Sequence, residues 1–128
     1  FKYVYLDQEY SIIKNDLSVF EQVRRFTAVR QEHEIKTILN RFLFPMPVWE
    51  KSCRMLSGGE KMKLALCCLM ISSDPPDVFI LDEPTNNIDM QNVEILTATV
   101  KDFRGTVLLI SHDPYFVEQI GVDYTINL

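Results

Sequence analysis

Leu56-Ser57-Gly58-Gly59-Glu60 is the stretch on which the reading of this chain turns. Ser57 and Glu60 have the spacing of a capping box, in which each side chain bonds the other's backbone N–H, so a helix is predicted to open here. A helix start also presents free N–H groups and positive dipole density to an anion. Two glycines let the backbone approach a phosphate without Cβ interference. Helix initiation is the plain reading and phosphate contact the functional one; the two are compatible.

Downstream lie Val78-Phe79-Ile80-Leu81-Asp82-Glu83-Pro84-Thr85 and Ile110-Ser111-His112-Asp113. Val78 to Leu81 is a continuous apolar run, as expected of a strand covered on both faces. It delivers two carboxylates to its carboxyl end, the edge at which open α/β sheets bind ligands. Successive strand residues point to opposite faces, so Asp82 and Glu83 should differ in role. Asp82 suits Mg²⁺, which takes a few carboxylates and keeps waters. Glu83 suits a general base acting on water. The alternative is a pair of solvated acids. His112 follows the strand Thr106 to Ile110. That strand should lie beside the Asp82 strand, bringing His112 to the same edge. A lone histidine is more often structural, and its place beside the acid pair favours function here.

The rest of the chain frames these motifs. Lys2 to Leu6 reads as a strand ending at Asp7-Gln8. Ser18 and Glu21 open a first helix, and a second is expected over 28–44, stopped by Pro45-Met46-Pro47. The third runs from Ser57 to about Ile71. Met90 to Asp102 reads as a helix, Asp113-Pro114 as an N-cap followed by proline at the first helical position, and Tyr124 to Leu128 as a last strand. The fold class is therefore α/β, with a partial parallel sheet and a helical lobe. The expected division is 1–10 for the first strand and loop, 15–74 for the helical lobe, and 75–128 for the remaining core.

At 128 residues the chain is one domain or part of one. Its net charge is −5 and its thirteen basic residues are scattered, which gives no case for nucleic-acid binding. No apolar run is long enough to cross a bilayer as a helix. Cys53, Cys67 and Cys68 show no metal-ligand spacing and read as reduced thiols in a cytoplasmic protein. None of the four glycines begins a phosphate loop of the form G-x-x-x-x-G-K-[ST]. The chain thus reads as the rear two-thirds of a nucleotide-hydrolysing domain.

Taken in order, these segments resemble the ATP-binding cassette (ABC) superfamily of P-loop NTPases, over essentially the whole chain. The resemblance implies that Gln8 is the Q-loop glutamine, near Mg²⁺ and the attacking water. It implies that Leu56 to Glu60 is the signature motif, through which Ser57, Gly58, Gly59 and Glu60 contact ATP. Val78 to Asp82 matches the Walker B strand, with Asp82 at the metal, and Glu83 matches the catalytic glutamate. Asp89 matches the D-loop aspartate and His112 the switch histidine at the γ-phosphate. In that architecture ATP is held between two cassettes, in one chain or in a homodimer.

Glu60 in the signature, and the run Asp82-Glu83-Pro84-Thr85-Asn86-Asn87-Ile88-Asp89, look like the ABC-F branch. Asn87 and Ile88 depart from that branch's usual histidine and leucine. The branch comprises proteins without a membrane domain, many acting on the ribosome, so a ribosome or tRNA partner is implied. The alternative is the nucleotide-binding subunit of a membrane transporter. A chromosome-maintenance or DNA-repair ATPase fits poorly, because only 48 residues separate Gln8 from Ser57. Without the Walker A loop the chain alone is expected to be inactive and to hold neither ATP nor Mg²⁺ tightly. An unpaired edge on the Val107 to Ile110 strand should favour self-association.

Overall fold

The computed structural model describes residues 1–7, 9–27, 32–86 and 88–126. Three strands and five α-helices follow in order among these residues: β1 (Tyr3–Leu6), α1 (Val19–Arg24), α2 (Glu32–Arg41), α3 (Gly58–Ile71), β2 (Val78–Asp82), α4 (Met90–Asp102), β3 (Thr106–Ile110) and α5 (Pro114–Ile120). The sheet is parallel, in the order β1-β2-β3. Tyr5 lies opposite Ile80, Leu81 opposite Leu109, and Asp82 opposite Ile110. The central strand carries the acid pair, so both neighbours converge on its carboxyl end.

Helix α3 is buried almost all round. Met62 through Leu69 are all buried, Lys63 included. A helix with no solvent face has to be enclosed, and α3 packs against α1, α2 and α4. It thereby joins the helical lobe to the helices lining the sheet. One continuous core runs from Val19, Val23, Ile35 and Leu39 through Leu64 and Leu66 to Phe79, Leu81, Leu96 and Phe116. Burial pushes the Cys53 thiol up to about 11 and that of Cys67 up to about 12. All three cysteines are free and buried, filling the core as small apolar side chains.

Buried polar groups stitch the lobe together. The Lys14 N–H donates to Gln22 Oε1 (2.9 Å), and Gln22 Nε2 donates to the Ile12 carbonyl (3.1 Å). Lys63 Nζ reaches the Leu43 carbonyl at 3.4 Å and sits 4.5 Å from the centre of the Phe44 ring. Burial lowers the Lys63 pKa, a shift partly opposed by Glu60 and Asp89.

Two expectations from sequence are revised. Helix α2 is described from Glu32, with 28–31 outside the described residues, and it stops at Arg41 rather than reaching Phe44. The cause is a Schellman turn. Leu43 adopts φ 63°, the Leu43 N–H bonds the Asn40 carbonyl (3.0 Å), and the Phe44 N–H bonds the Leu39 carbonyl (2.9 Å). Buried Phe44 and Leu39 close the turn, before either proline is reached. The last strand is also absent as far as the structure describes it. Residues 124–126 are not a strand, with Tyr124 91% and Ile126 80% exposed, and 127–128 lie outside the described residues. A strand needs a ladder partner, and nothing among the described residues pairs with the outer edge of β3.

Leu43 holds a left-handed conformation that costs an L-residue about 1–2 kcal/mol, and the residue is 45% exposed. Leu43→Gly is therefore expected to raise the unfolding free energy by roughly 1 kcal/mol. Urea titration of both proteins checks this, and a destabilised variant would mean that Leu43 packing outweighs the backbone strain.

Candidate active site

The acid pair stands where β2 ends. Asp82 is its last residue, and the ladder extends one residue further because the Glu83 N–H donates to the Ile110 carbonyl at 2.7 Å. The chain then turns sharply, with Glu83 at φ 48°. A non-glycine residue held there is strained, a feature that clusters at functional sites. The turn breaks the strand alternation, so the two carboxylates enter different surroundings.

Glu83 folds inward towards the loop after β3. Its Oε2 accepts from the His112 backbone N–H at 3.3 Å, and His112 Nε2 lies 3.3 Å from Oε1. That ring nitrogen is near but not aligned for a hydrogen bond, so Oε1 is a buried oxygen without a hydrogen-bond partner among the described residues. The pair carries opposite charge only when the imidazole is protonated, and the His112 side chain is 94% exposed. The two loops are also tied by the Thr85 hydroxyl, which donates to Asp113 Oδ2 at 3.3 Å, while Asp113 Oδ1 caps α5 at the Phe116 N–H.

Asp82 faces the other way. Its Oδ2 accepts from the Tyr5 hydroxyl of β1 at 2.6 Å. That hydrogen bond, ahead of the carboxylate's charge, pushes the phenol above its ordinary pKa. Sequence reading missed Tyr5. Its signal is an aromatic residue on the neighbouring strand two positions short of the acid, and it becomes visible only once the register is known. Gln8, expected beside these groups, lies outside the described residues.

Ser57, Gly58, Gly59, Glu60 and Asp89 form a second cluster. Helix α3 opens with a full capping box: Ser57 Oγ accepts from the Glu60 N–H (3.2 Å) and the Ser57 N–H donates to Glu60 Oε1 (3.0 Å). Glu60 is thus turned onto its own helix start, leaving the Gly58 and Gly59 N–H groups as the free donors of the first turn. Asp89 caps α4 through the Asn92 N–H at 2.9 Å. The two helix starts touch: a Cβ on Gly59 would lie 3.0 Å from Asn92 Nδ2 and 3.5 Å from Ile88 Cγ2, whereas one on Gly58 would meet nothing within 4 Å. No hydrogen bond or ion pair joins this cluster to Glu83 and His112 among the described residues.

Residues 2–86 match the family model described as ABC transporter. The chain belongs to that family. Relatives include "ABC transporter F family member 5" of Arabidopsis thaliana, 36% identical over 85% of this chain and 16% of that protein. Another is "Energy-dependent translational throttle protein EttA" of Haemophilus influenzae, 32% identical over 91% of this chain and 22% of its own length. The chain spans less than a quarter of the length of either relative. The fold is also that of the ATP-binding cassette MJ0796, solved as a dimer in a post-hydrolysis state bound to ADP and Pi. The TM-score is 0.71 at 17% identity, covering 92% of this chain and 55% of that one. No helix among the described residues is long and apolar enough to cross a membrane.

The two glycines should respond differently to a methyl group. Gly58→Ala is expected to be neutral or to stabilise by up to about 1 kcal/mol, through loss of unfolded-state freedom. Gly59→Ala must push back Asn92 and Ile88 and should fall roughly 1 kcal/mol or more below it. Equal midpoints in thermal melts of the two variants would mean that α4 yields freely.

Proposed function

We propose that this chain is the rear part of an ATP-hydrolysing cassette of the F branch, working on ATP held between two cassettes. The observation that carries the reading is Glu83 Oε1, a buried carboxylate oxygen with no hydrogen bond among the described residues, beside His112 at the carboxyl edge of a parallel sheet. A buried acceptor left open is costly, and a water poised for attack is the natural donor to it.

In this reading Glu83 is the general base. Its Oε2 is held by the His112 N–H, and Oε1 accepts the proton of a water that attacks the γ-phosphorus as the bond to the β–γ bridging oxygen breaks. His112, exposed on a loop, is free to reach a γ-phosphate oxygen. Asp82 supplies a hard oxygen donor, Oδ1, to which no side chain among the described residues donates. One carboxylate together with waters and substrate phosphate would hold Mg²⁺ there. Bound there, the ion neutralises phosphate charge. Gln8 belongs beside it by motif. Ser57, Gly58, Gly59 and Glu60 serve the ATP of the opposing cassette, with the glycine N–H groups facing phosphate, and Asp89 adjoins them through α4.

The F-branch relatives, one named for translation, favour a ribosome or tRNA partner and a cytoplasmic setting over a transporter's membrane subunit. The lysine and N–H nest of a Walker A loop occur nowhere in this sequence, so the 128-residue chain by itself should bind Mg-ATP no better than millimolar. Calorimetric titration giving micromolar binding would overturn that expectation. In the full-length protein Glu83→Gln keeps size and hydrogen bonding but removes the base. Turnover should fall by at least about 100-fold with ATP still bound, as read by phosphate release and nucleotide retention. Near-normal turnover would make Glu83 a structural acid.

A further inference from the structure

We propose that Tyr5 is a positioning residue for the metal-binding carboxylate of Asp82, a role that rests on the reading of Asp82 given above. The geometry that places it is the strand register. Tyr5 stands opposite Ile80, two residues before Asp82 on the adjacent parallel strand. Strand side chains alternate, so Tyr5, Ile80 and Asp82 share one face. Two residues along a strand span about 6.6 Å, close to the reach of a tyrosine from Cα to hydroxyl. Serine or threonine at position 5 would stop short, and phenylalanine would arrive without a donor. The observed bond, Tyr5 Oη to Asp82 Oδ2 at 2.6 Å, is short and aimed at a single carboxylate oxygen.

The opposite flank of Asp82 offers no such partner. Its neighbour on β3 is Ile110, and among the described residues Tyr5 is the one side chain that donates to Asp82. The bond restrains rotation of the carboxylate about its last torsion and engages Oδ2, while no side chain among the described residues donates to Oδ1. Outer hydrogen bonds of this type orient metal ligands, and their loss costs about 10–100-fold in metal affinity or activity. Among the described residues the ring lies half-exposed and outside the core, and its hydroxyl makes the bond to the acid.

The test uses the full-length protein with Mn²⁺ as a spectroscopic stand-in for Mg²⁺. Free Mn²⁺ is followed by electron paramagnetic resonance in the presence of ATP, and ATP binding is measured separately in chelator. Tyr5→Phe should raise the Mn²⁺ concentration for half-saturation about tenfold and leave metal-free ATP affinity unchanged. Tyr3→Phe, on the same face but without a bond to the acid, should match the wild type. In an Asp82→Asn background, Tyr5→Phe should add nothing. A Tyr5→Phe curve superimposed on the wild type, or an equal shift from Tyr3→Phe, overturns the proposal while leaving Asp82 as a ligand. If the wild type binds ATP but no Mn²⁺, the Asp82 reading itself fails and takes this inference with it.

Discussion

A parallel ladder on both sides of β2 constrains everything at the proposed catalytic edge. Each residue from Val78 to Asp82 has a fixed partner on β3, and Glu83 adds a last bond to the Ile110 carbonyl. The backbone cannot continue as a strand beyond that point, because β3 itself ends at Ile110. It reverses at Glu83, and the positive φ there is the local cost of the reversal. A non-glycine residue in that region is disfavoured by about 1–3 kcal/mol, and the paired ladder is what holds it. The same turn swings the Glu83 carboxylate against the His112 backbone, a placement that regular strand geometry does not provide.

Helix α3 plays the matching part for the second cluster. Its first turn is polar and glycine-rich, and its next two turns are wholly buried. The buried turns fix where the first turn points. The close approach of Gly59 to Asn92 and Ile88 then sets the start of α3 against the start of α4. Two helix N-termini side by side concentrate positive dipole density. Glu60 offsets part of it, being bonded to the Ser57 N–H. An anion arriving there therefore meets backbone donors on a rigid helix, with two acids, Glu60 and Asp89, already committed to capping.

Much of this was legible in the sequence because the signals were local. Ser18 with Glu21, Ser57 with Glu60, and Asp113 with Pro114 each mark a helix start by chemistry confined to four residues, and each cap is present. The apolar runs ending at Leu6, Leu81 and Ile110 marked the three strands, and the Thr106 to Ile110 strand lies beside the Asp82 strand as expected. What escaped was non-local or lacked its usual residue. The end of α2 lies at Leu43, where glycine or asparagine would be the ordinary marker. Residues 124–126 have strand-like composition, yet composition does not supply a partner. Tyr5 reads as one more aromatic strand residue until register sets it against Asp82. Gln22 and Lys63 are polar residues in apolar surroundings, and only the packed lobe shows which carbonyls they satisfy.

The position of Asp82 is tied to the core through that register. Phe79 and Leu81 point into the core, with Phe79 meeting Phe103 edge-on at 5.8 Å. Val78, Ile80 and Asp82 therefore share the opposite face, beside Tyr3 and Tyr5 on one flank and Thr106, Leu108 and Ile110 on the other. A slip of one residue would bury the carboxylate without a partner and expose Leu81. The cost of that exchange, a few kcal/mol for the acid and about 2 kcal/mol for the leucine, is what keeps Asp82 at the edge. Packing of two apolar side chains thus determines the face on which the Asp82 carboxylate is offered, and the Tyr5 hydroxyl holds one of its oxygens once the face is chosen.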